Sequence, residues 1–158
     1  MSGNPGTGDD APVPRLLVVH HTPYPAMQAV LEAVREGVAL VDGVELVLRP
    51  ALSAGAADLL AADGVLLGTP ANIGYMSGAL KHFFDTVYYP CLEATVALPY
   101  GVYVHGNDDT AGALTAIGKI TGGMRWKQVA APLSLIGAPG PAELEACREL
   151  AATVAVQL

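Results

Sequence analysis

Five short apolar segments, separated by stretches of a different periodicity, constrain the fold of this chain more than any other feature. Each is rich in aliphatic residues and shows little polar alternation, which is typical of strands buried on both faces of a parallel sheet. The predicted strands are residues 15–19, 44–49, 64–68, 100–106 and 128–137. Strands of this kind need helices on both faces, so the pattern favours a three-layer α/β architecture.

The segments between the predicted strands have the helical period. Apolar residues recur at spacings of three and four over residues 27–41, which predicts an amphipathic helix. Further helices are marked by apolar residues from Met76 to Val87, from Leu114 to the stop at Gly122–Gly123, and after Pro141. The segment 50–63 has room only for a short helix.

Alternating strands and helices imply right-handed crossovers and a sheet order of 2-1-3-4-5. Ligands of such sheets bind outside the carboxyl ends of the strands, where the order reverses between strands 1 and 3. The loops in which to search for a site are therefore 20–28, 69–76 and 105–112. Residues 15–158 are predicted to form one domain, and the Gly-, Pro- and Asp-rich residues 1–14 a disordered arm.

Composition narrows the classes of partner. The formal net charge is −7 and the isoelectric point about 4.8, which argues against nucleic acid or an anionic membrane as the main partner. No apolar run reaches the ~18 residues that span a bilayer, and the first residues lack the features of a signal peptide. Cys91 and Cys147 have no metal-ligand spacing, so we interpret them as reduced thiols of a cytoplasmic protein. No metal site is predicted, since the adjacent His20 and His21 should point to opposite sides of a strand.

The segment after strand 3, GTPANIGYMSGALKHFFD, is the most informative one. Thr69-Pro70 predicts a stiff turn, because proline fixes its own φ and restricts its neighbour. Gly74 predicts either a backbone conformation that other residues avoid or the close approach of a flat ligand. Lys81 and Asp85, four residues apart on a helix, are expected to form a solvated ion pair, whereas Phe83 and Phe84 are expected in the core.

This segment resembles the second flavin-binding loop of flavodoxin-like flavoproteins, in particular the NAD(P)H-dependent FMN reductases and quinone reductases. The resemblance extends over about residues 15–157 and implies a flavodoxin-like sandwich with a five-stranded parallel sheet. The positions that match the motif of this loop are Gly68, Thr69, Pro70, Gly74, Met76, Lys81, Phe83 and Asp85. The contacts to the isoalloxazine ring that the resemblance implies come from Pro70, Ala71, Asn72, Ile73, Gly74 and Met76. The family often has an aromatic residue at position 72 or 73, and here Tyr75 could supply the stacking or point away. The alternative is a strand-to-helix turn without a ligand.

The resemblance assigns His105, Gly106 and Asn107, after strand 4, to the loop that flanks the polar edge of the flavin ring. His105 could guide a substrate or donate to a flavin carbonyl, or it could be a histidine hydrogen-bonded at a strand end. Asp108–Thr110 is predicted to be the amino-terminal cap region of the next helix.

The loop after strand 1 stands where the family folds Ser/Thr-x-Thr-Gly-x-Thr around the FMN phosphate. Placed on residues 22–27, that pattern keeps only the hydroxyl of Thr22, and Pro23 and Pro25 remove two N–H donors. The groups left to bind a phosphate are those of His21, Thr22, Tyr24, Ala26 and Met27. We therefore expect FMN to bind weakly, or a flavin to be held by its ring.

Three functions remain open from the sequence. The first is an FMN-dependent oxidoreductase that passes electrons from NAD(P)H to a quinone or similar acceptor. The second is a flavodoxin-type electron carrier that docks to a redox partner protein, and the third is a fold that has lost flavin binding and acts as an interaction module. No nucleic acid and no membrane insertion are expected, and a homodimer is left open. The sequence does not indicate NADH or NADPH.

Overall fold

The computed structural model describes residues 12–158. The predicted disordered arm, residues 1–14, lies outside the described residues as far as residue 11, and the domain boundary at residue 15 stays a prediction. The helices are α1 (Pro25–Ala39), α2 (Ala56–Leu60), α3 (Gly78–Cys91), α4 (Ala111–Gly123) and α5 (Pro141–Ala155). The strands are β1 (Arg15–His20), β2 (Glu45–Pro50), β3 (Gly64–Asn72), β4 (Tyr75–Met76), β5 (Pro99–Gly106), β6 (Lys127–Gln128) and β7 (Leu133–Ile136).

The main sheet is parallel and has the order β2-β1-β3-β5-β6, with β7 also paired to β5. The predicted order 2-1-3-4-5 is thereby confirmed, because β5 is the fourth parallel strand and β6 and β7 together take the fifth place. The order reverses between β1 and β3, as the sequence predicted.

The predicted fifth strand, residues 128–137, is interrupted. Gln128 lies opposite Tyr100 and Leu133 opposite Tyr103, so the four residues 129–132 face only two residues of β5. Pro132, in this stretch, has no N–H to donate to a ladder, which accounts for a break here. The interruption leaves two short strands at the edge of the sheet.

Two apolar layers cover the sheet. One face packs against α1 and α5, and the other against α2, α3 and α4. The predicted core residues Phe83 and Phe84 are buried, which confirms their assignment. Gly37 lets α1 approach α5 closely, since a Cβ there would lie 2.3 Å from the carbonyl oxygen of Arg148. No helix among residues 12–158 is long and apolar enough to cross a membrane.

Two interpretations of single side chains are confirmed. Cys91 and Cys147 are buried free thiols, and burial raises the pKa of Cys147 to about 11. Lys81 and Asp85 form an exposed ion pair with Nζ and Oδ1 2.5 Å apart. An exposed pair of this kind contributes at most a few tenths of a kcal/mol.

Candidate functional site

β3 continues beyond the sheet into a hairpin that the sequence did not predict. Its last residues pair antiparallel with β4, Ala71 with Met76 and Asn72 with Tyr75. The two-residue turn is therefore Ile73-Gly74, with φ of 51° and 73°. Positive φ at both turn residues is the geometry of a type I′ turn. The unusual backbone predicted for Gly74 is confirmed, but Met76 lies in β4 rather than in the helix that the sequence pattern assigned to it.

Ile73, at the tip of this hairpin, combines two unfavourable features. Its side chain is fully exposed, and a β-branched residue at positive φ is a rare backbone outlier. Left-handed backbone costs a non-glycine residue about 1–2 kcal/mol. Nothing within the described chain offsets this by burying the side chain.

The protein's own groups hold the hairpin in place. Thr69 is buried, and its Oγ1 accepts a hydrogen bond from the N–H of Ser77 at 3.0 Å and donates to the carbonyl of Pro70 at 2.8 Å. Ser77 Oγ in turn accepts from the N–H of Leu80 at 3.2 Å and caps α3. A Cβ on Gly112 of α4 would lie 2.0 Å from the carbonyl oxygen of Gly74, so α4 supports the tip directly.

The β1–α1 connection has no comparable side-chain hydrogen bonds to the start of its helix. Tyr24 is the N-cap residue of α1 and makes no side-chain cap hydrogen bond. The other four described helices each have a side chain that hydrogen-bonds a backbone N–H at the start of the helix: Asp58 for α2, Ser77 for α3, Asp109 for α4 and Glu143 for α5. The N–H groups of Ala26 and Met27, in the first turn of α1, have no intrahelical acceptor. Among the described helices, α1 is therefore the only one at whose start no side chain hydrogen-bonds a backbone N–H.

The side chain of Tyr24 instead bonds to β5, across 81 residues of sequence. Its hydroxyl lies 2.7 Å from Nδ1 of His105, and Nε2 of His105 lies 2.7 Å from the carbonyl oxygen of Gly137. A carbonyl only accepts, so Nε2 carries the proton, and in the neutral ring Nδ1 accepts from the Tyr24 hydroxyl. We call this chain of hydrogen bonds the Tyr24–His105–Gly137 clasp. It matches the strand-end alternative for His105, which is buried and has both ring nitrogens engaged.

Two histidines line a small cavity beside the carboxyl end of β1. The cavity has a volume of about 270 Å³ and lies between the loops after β1 and β2 and the first turn of α3; its lining includes His20, His21, Thr22, Pro50 and Ala79. His20 Nδ1 is 2.8 Å from Thr22 Oγ1, and burial, with a smaller effect of the neighbouring His21, lowers the pKa of His20. His21 Nδ1 is buried and has no hydrogen-bond partner among the described residues. This cavity thus offers one hydroxyl and two imidazoles.

The β5–α4 loop is the third loop at the carboxyl edge of the sheet. Asp109 Oδ1 accepts from the N–H of Ala111 at 2.8 Å, which confirms the predicted cap region of α4. A Cβ on the buried Gly106 would be 3.4 Å from Cβ of Ala71, so this loop packs against the base of the hairpin. Asn107 is exposed at the surface.

The structure brings all the predicted site residues to three neighbouring loops at one edge of the sheet, but it does not expose them equally. Asn72, Ile73, Gly74 and Asn107 are exposed, and His21, Thr22, Tyr24, Ala26 and Ala71 are partly buried. The buried members are Met27, Pro70, Met76, His105 and Gly106. No pattern in the sequence indicates the role of Gly137, because this residue reaches the site only through a hydrogen bond from a distant loop to His105.

The sequence left open whether Tyr75 supplies the stacking or points away, and the structure places its side chain. It lies at the wall of a groove of about 560 Å³ between the hairpin, α3 and α4, together with Lys81 and Lys119. Its side chain is 40% exposed. Tyr75 therefore faces α4, beside the loop that the resemblance assigns to the flavin.

Comparisons with known proteins agree with this architecture. No protein-family model matches the chain. It is 36% identical over 73 residues to a flavodoxin of Aquifex aeolicus (strain VF5), covering 46% of this chain and 40% of that protein. It is 32% identical over 95 residues to an NAD(P)H dehydrogenase (quinone) of Syntrophobacter fumaroxidans, covering 45% and 47%. The chain thus spans less than half the length of either relative.

Solved structures show the fold more completely. An archaeal flavodoxin superimposes with a TM-score of 0.78 at 15% identity, covering 90% of this chain and 97% of that one. Flavodoxin 2 from Bacillus cereus gives 0.76 at 20% identity, covering 91% and 99%. A WrbA-like flavodoxin from Agrobacterium tumefaciens gives 0.72 at 21% identity, covering 91% and 96%. These superpositions show that the chain has the flavodoxin-like fold, and the two partial sequence matches are to proteins named a flavodoxin and an NAD(P)H dehydrogenase (quinone).

Proposed function

We propose that this protein binds FMN across the carboxyl edge of its sheet and passes electrons from NAD(P)H through the flavin to a quinone or similar acceptor. The relatives support a redox function of this class, since one is named a flavodoxin and the other an NAD(P)H dehydrogenase (quinone). The proposal assigns the ring to the hairpin tip and the β5–α4 loop, and the phosphate to the amino end of α1.

Ile73 is the observation that carries the proposal. Its backbone is strained and its apolar side chain is fully exposed, at the tip of a hairpin that Thr69, Ser77 and Gly112 hold rigidly. Strained residues persist where the surroundings over-determine them, and they cluster at ligand sites. A flat apolar ring packed on Ile73 and on the exposed backbone of Gly74 would remove this surface from water.

The amino end of α1 can bind a singly or doubly charged phosphate group, but it offers few hydrogen-bond donors. The uncapped N–H groups of Ala26 and Met27 and the positive end of the α1 dipole favour an anion there. If Nδ1 of His20 carries the proton, it donates to Thr22 Oγ1 and leaves the Thr22 hydroxyl hydrogen for the phosphate. Two amides and one hydroxyl are fewer donors than a full phosphate loop supplies, so we expect modest affinity.

When bound, the flavin supplies the two-electron chemistry, and the chain's own residues bind and orient it. The rigid hairpin fixes the plane on which the ring lies. The Tyr24–His105–Gly137 clasp holds the β1–α1 loop against β5, and so sets the distance between the phosphate end and the ring end of the site.

We further infer a cytoplasmic location from the two free buried thiols, and a second copy as a partner from the exposed aromatic ring of Tyr89.

A second candidate is an electron carrier without a substrate of its own. The net charge of −7 favours it, because an acidic surface steers docking to a basic redox partner. The third candidate, a fold without flavin, is favoured by the clasp, since the protein's own side chains bond across the β1–α1 loop.

Two measurements separate these candidates. The protein is purified, FMN is added, and the visible spectrum is recorded after unbound flavin is removed. Flavin absorbance that stays with the protein supports the first two candidates, and its absence rejects both. Oxidation of NADH or NADPH with a quinone acceptor then supports the first candidate, whereas a protein that holds flavin but does not turn over NAD(P)H supports the second.

A further inference from the structure

The groove between the hairpin, α3 and α4 has no role in the site described above. It is bounded by Tyr75 of β4, Lys81 of α3 and a stripe of α4, and its volume of about 560 Å³ lies within the range of small-molecule sites. The stripe comprises Gly112, Thr115, Lys119 and Ile120, which are spaced by three, four and one residues and so share one face of the helix. The groove is therefore formed by rigid elements.

The charge of this groove differs from that of the protein as a whole. The chain carries −7, yet the charged residues that line the groove are two lysines and no carboxylate. Lys81 is bonded to Asp85, which lies one turn further along α3. Lys119 makes no ion pair with any described residue and is exposed. An unneutralised ammonium beside an aromatic ring and an aliphatic floor suits an anionic ligand that also carries an aromatic ring.

The position of the groove narrows the choice of ligand. The β3–β4 hairpin forms its wall, through Tyr75, and the tip of the same hairpin is the proposed place of the flavin ring. A molecule in the groove therefore lies next to the flavin rather than in its place. Nicotinamide dinucleotides combine aromatic rings with a diphosphate, and they must lie next to a flavin in order to reduce it.

We propose that this groove binds the adenosine diphosphate half of a nicotinamide dinucleotide, with Lys119 facing its phosphates and Tyr75 packing against its adenine. The inference rests on the proposed function for the identity of the ligand. It adds the place at which the electron donor is recognised, and the residues that recognise it.

The test is a calorimetric titration of NADPH into the flavin-free protein, with Lys119→Gln as the variant and Lys127→Gln as its matched control. Lys127 is also an exposed lysine, but it pairs with Pro99 at the amino end of β5, away from the groove. Loss of one charged hydrogen bond should weaken NADPH binding about tenfold in Lys119→Gln. The control should stay within about twofold of the wild type, since only long-range charge is changed there. Inorganic pyrophosphate should compete with NADPH in the wild type.

Several results would overturn the proposal: no binding of NADPH by the wild-type protein, equal weakening in both variants, or no effect of Lys119→Gln. A wild-type dimer that Lys119→Gln dissociates would also overturn it, because the groove would then be an interface between copies. A separate titration of FMN, followed by absorbance, tells the two proposals apart. NADPH binding that depends on Lys119 in a protein that does not bind FMN would reject the proposed function and keep the groove. FMN binding without NADPH binding would reject the groove and keep the flavin site.

Discussion

The β1–α1 and β3–α3 connections stand side by side at the switch point of the sheet, but they are built in opposite ways. In the β3–α3 connection, Thr69 and Ser77 satisfy the backbone groups of the hairpin and of the helix start. In the β1–α1 connection the side chain of Tyr24 bonds to His105, and no side chain caps the first turn of α1. The β3–α3 connection satisfies its own backbone groups and exposes a strained tip, whereas the β1–α1 connection leaves backbone N–H groups without an acceptor. A ligand with a flat ring and an anionic tail matches this division.

The largest expected effect comes from disturbing the contact between α4 and the β3–β4 hairpin. Gly112→Ala places a Cβ 2.0 Å from the carbonyl oxygen of Gly74, a backbone atom that cannot move aside without shifting the hairpin. We expect the free energy of unfolding to fall by about 3 kcal/mol, as measured by urea denaturation. Gly118→Ala in the same helix meets nothing within 4 Å and should gain up to about 1 kcal/mol from helix propensity. Equal stabilities of the two variants would contradict the close approach of α4 to the hairpin.

The next effect tests the clasp. Tyr24→Phe removes the hydroxyl and leaves the buried Nδ1 of His105 without a partner. We expect a loss of about 2 kcal/mol in the free energy of unfolding. Tyr89→Phe, at a tyrosine that is 82% exposed, should stay within about 0.5 kcal/mol of the wild type. A Tyr24→Phe variant as stable as Tyr89→Phe would show that the clasp does not hold the β1–α1 loop.

A smaller change should raise stability and lower ligand affinity together. Ile73→Asn creates an Asn-Gly pair, which type I′ turns prefer, and it relieves the strain of a β-branched residue at positive φ. We expect a gain of about 1 kcal/mol in unfolding free energy together with weaker FMN binding, because the apolar side chain is lost. The control Leu40→Asn changes another exposed aliphatic residue, whose φ is −75°, and should give neither effect. An Ile73→Asn variant that binds FMN as tightly as the wild type would remove Ile73 from the ring site.

The smallest expected effect is a pH dependence of the unfolding free energy that comes from His20, at the start of the β1–α1 connection. Burial and the neighbouring His21 lower the pKa of His20 from its ordinary value of 6.5, so the unfolded chain binds the proton more readily than the folded one. The free energy of unfolding should therefore fall as the pH drops from 6.5 towards the lower pKa of the folded state, and level off below it. His20→Gln should reduce this fall in a series of urea titrations between pH 7 and 5, whereas substitution of the exposed His82 by Gln should not. An unchanged pH profile in His20→Gln would contradict the burial of this imidazole.

The parallel sheet could be predicted because its signals are local. Unbroken apolar runs mark buried strands, and apolar spacing of three and four marks helices, so the strand order followed from connection rules alone. The short α2 was also foreseen, since the segment between β2 and β3 leaves room for little more than one turn. The break between β6 and β7 was missed because the apolar character continues through residues 129–132, and Pro132 was the one local signal against a continuous strand.

The geometry of the site was less predictable than its position. The hairpin was missed because Ile73-Gly74 is a poor type I′ sequence, and a β-branched residue at positive φ is not expected from any propensity. The clasp was missed because Tyr24 and His105 are 81 residues apart and carry no shared pattern. The hairpin tip contradicts local preference, and a functional site is expected to depart from sequence rules in this way.

The central claim is that the uncapped amino end of α1 still recognises a phosphate while the hairpin holds the ring. Titrations of FMN and of riboflavin into the same flavin-free protein, followed by quenching of flavin fluorescence, test it most directly, because the two ligands differ only in the phosphate. We expect FMN to bind about tenfold more tightly than riboflavin, the effect of roughly one charged hydrogen bond. Equal dissociation constants for the two flavins would contradict it.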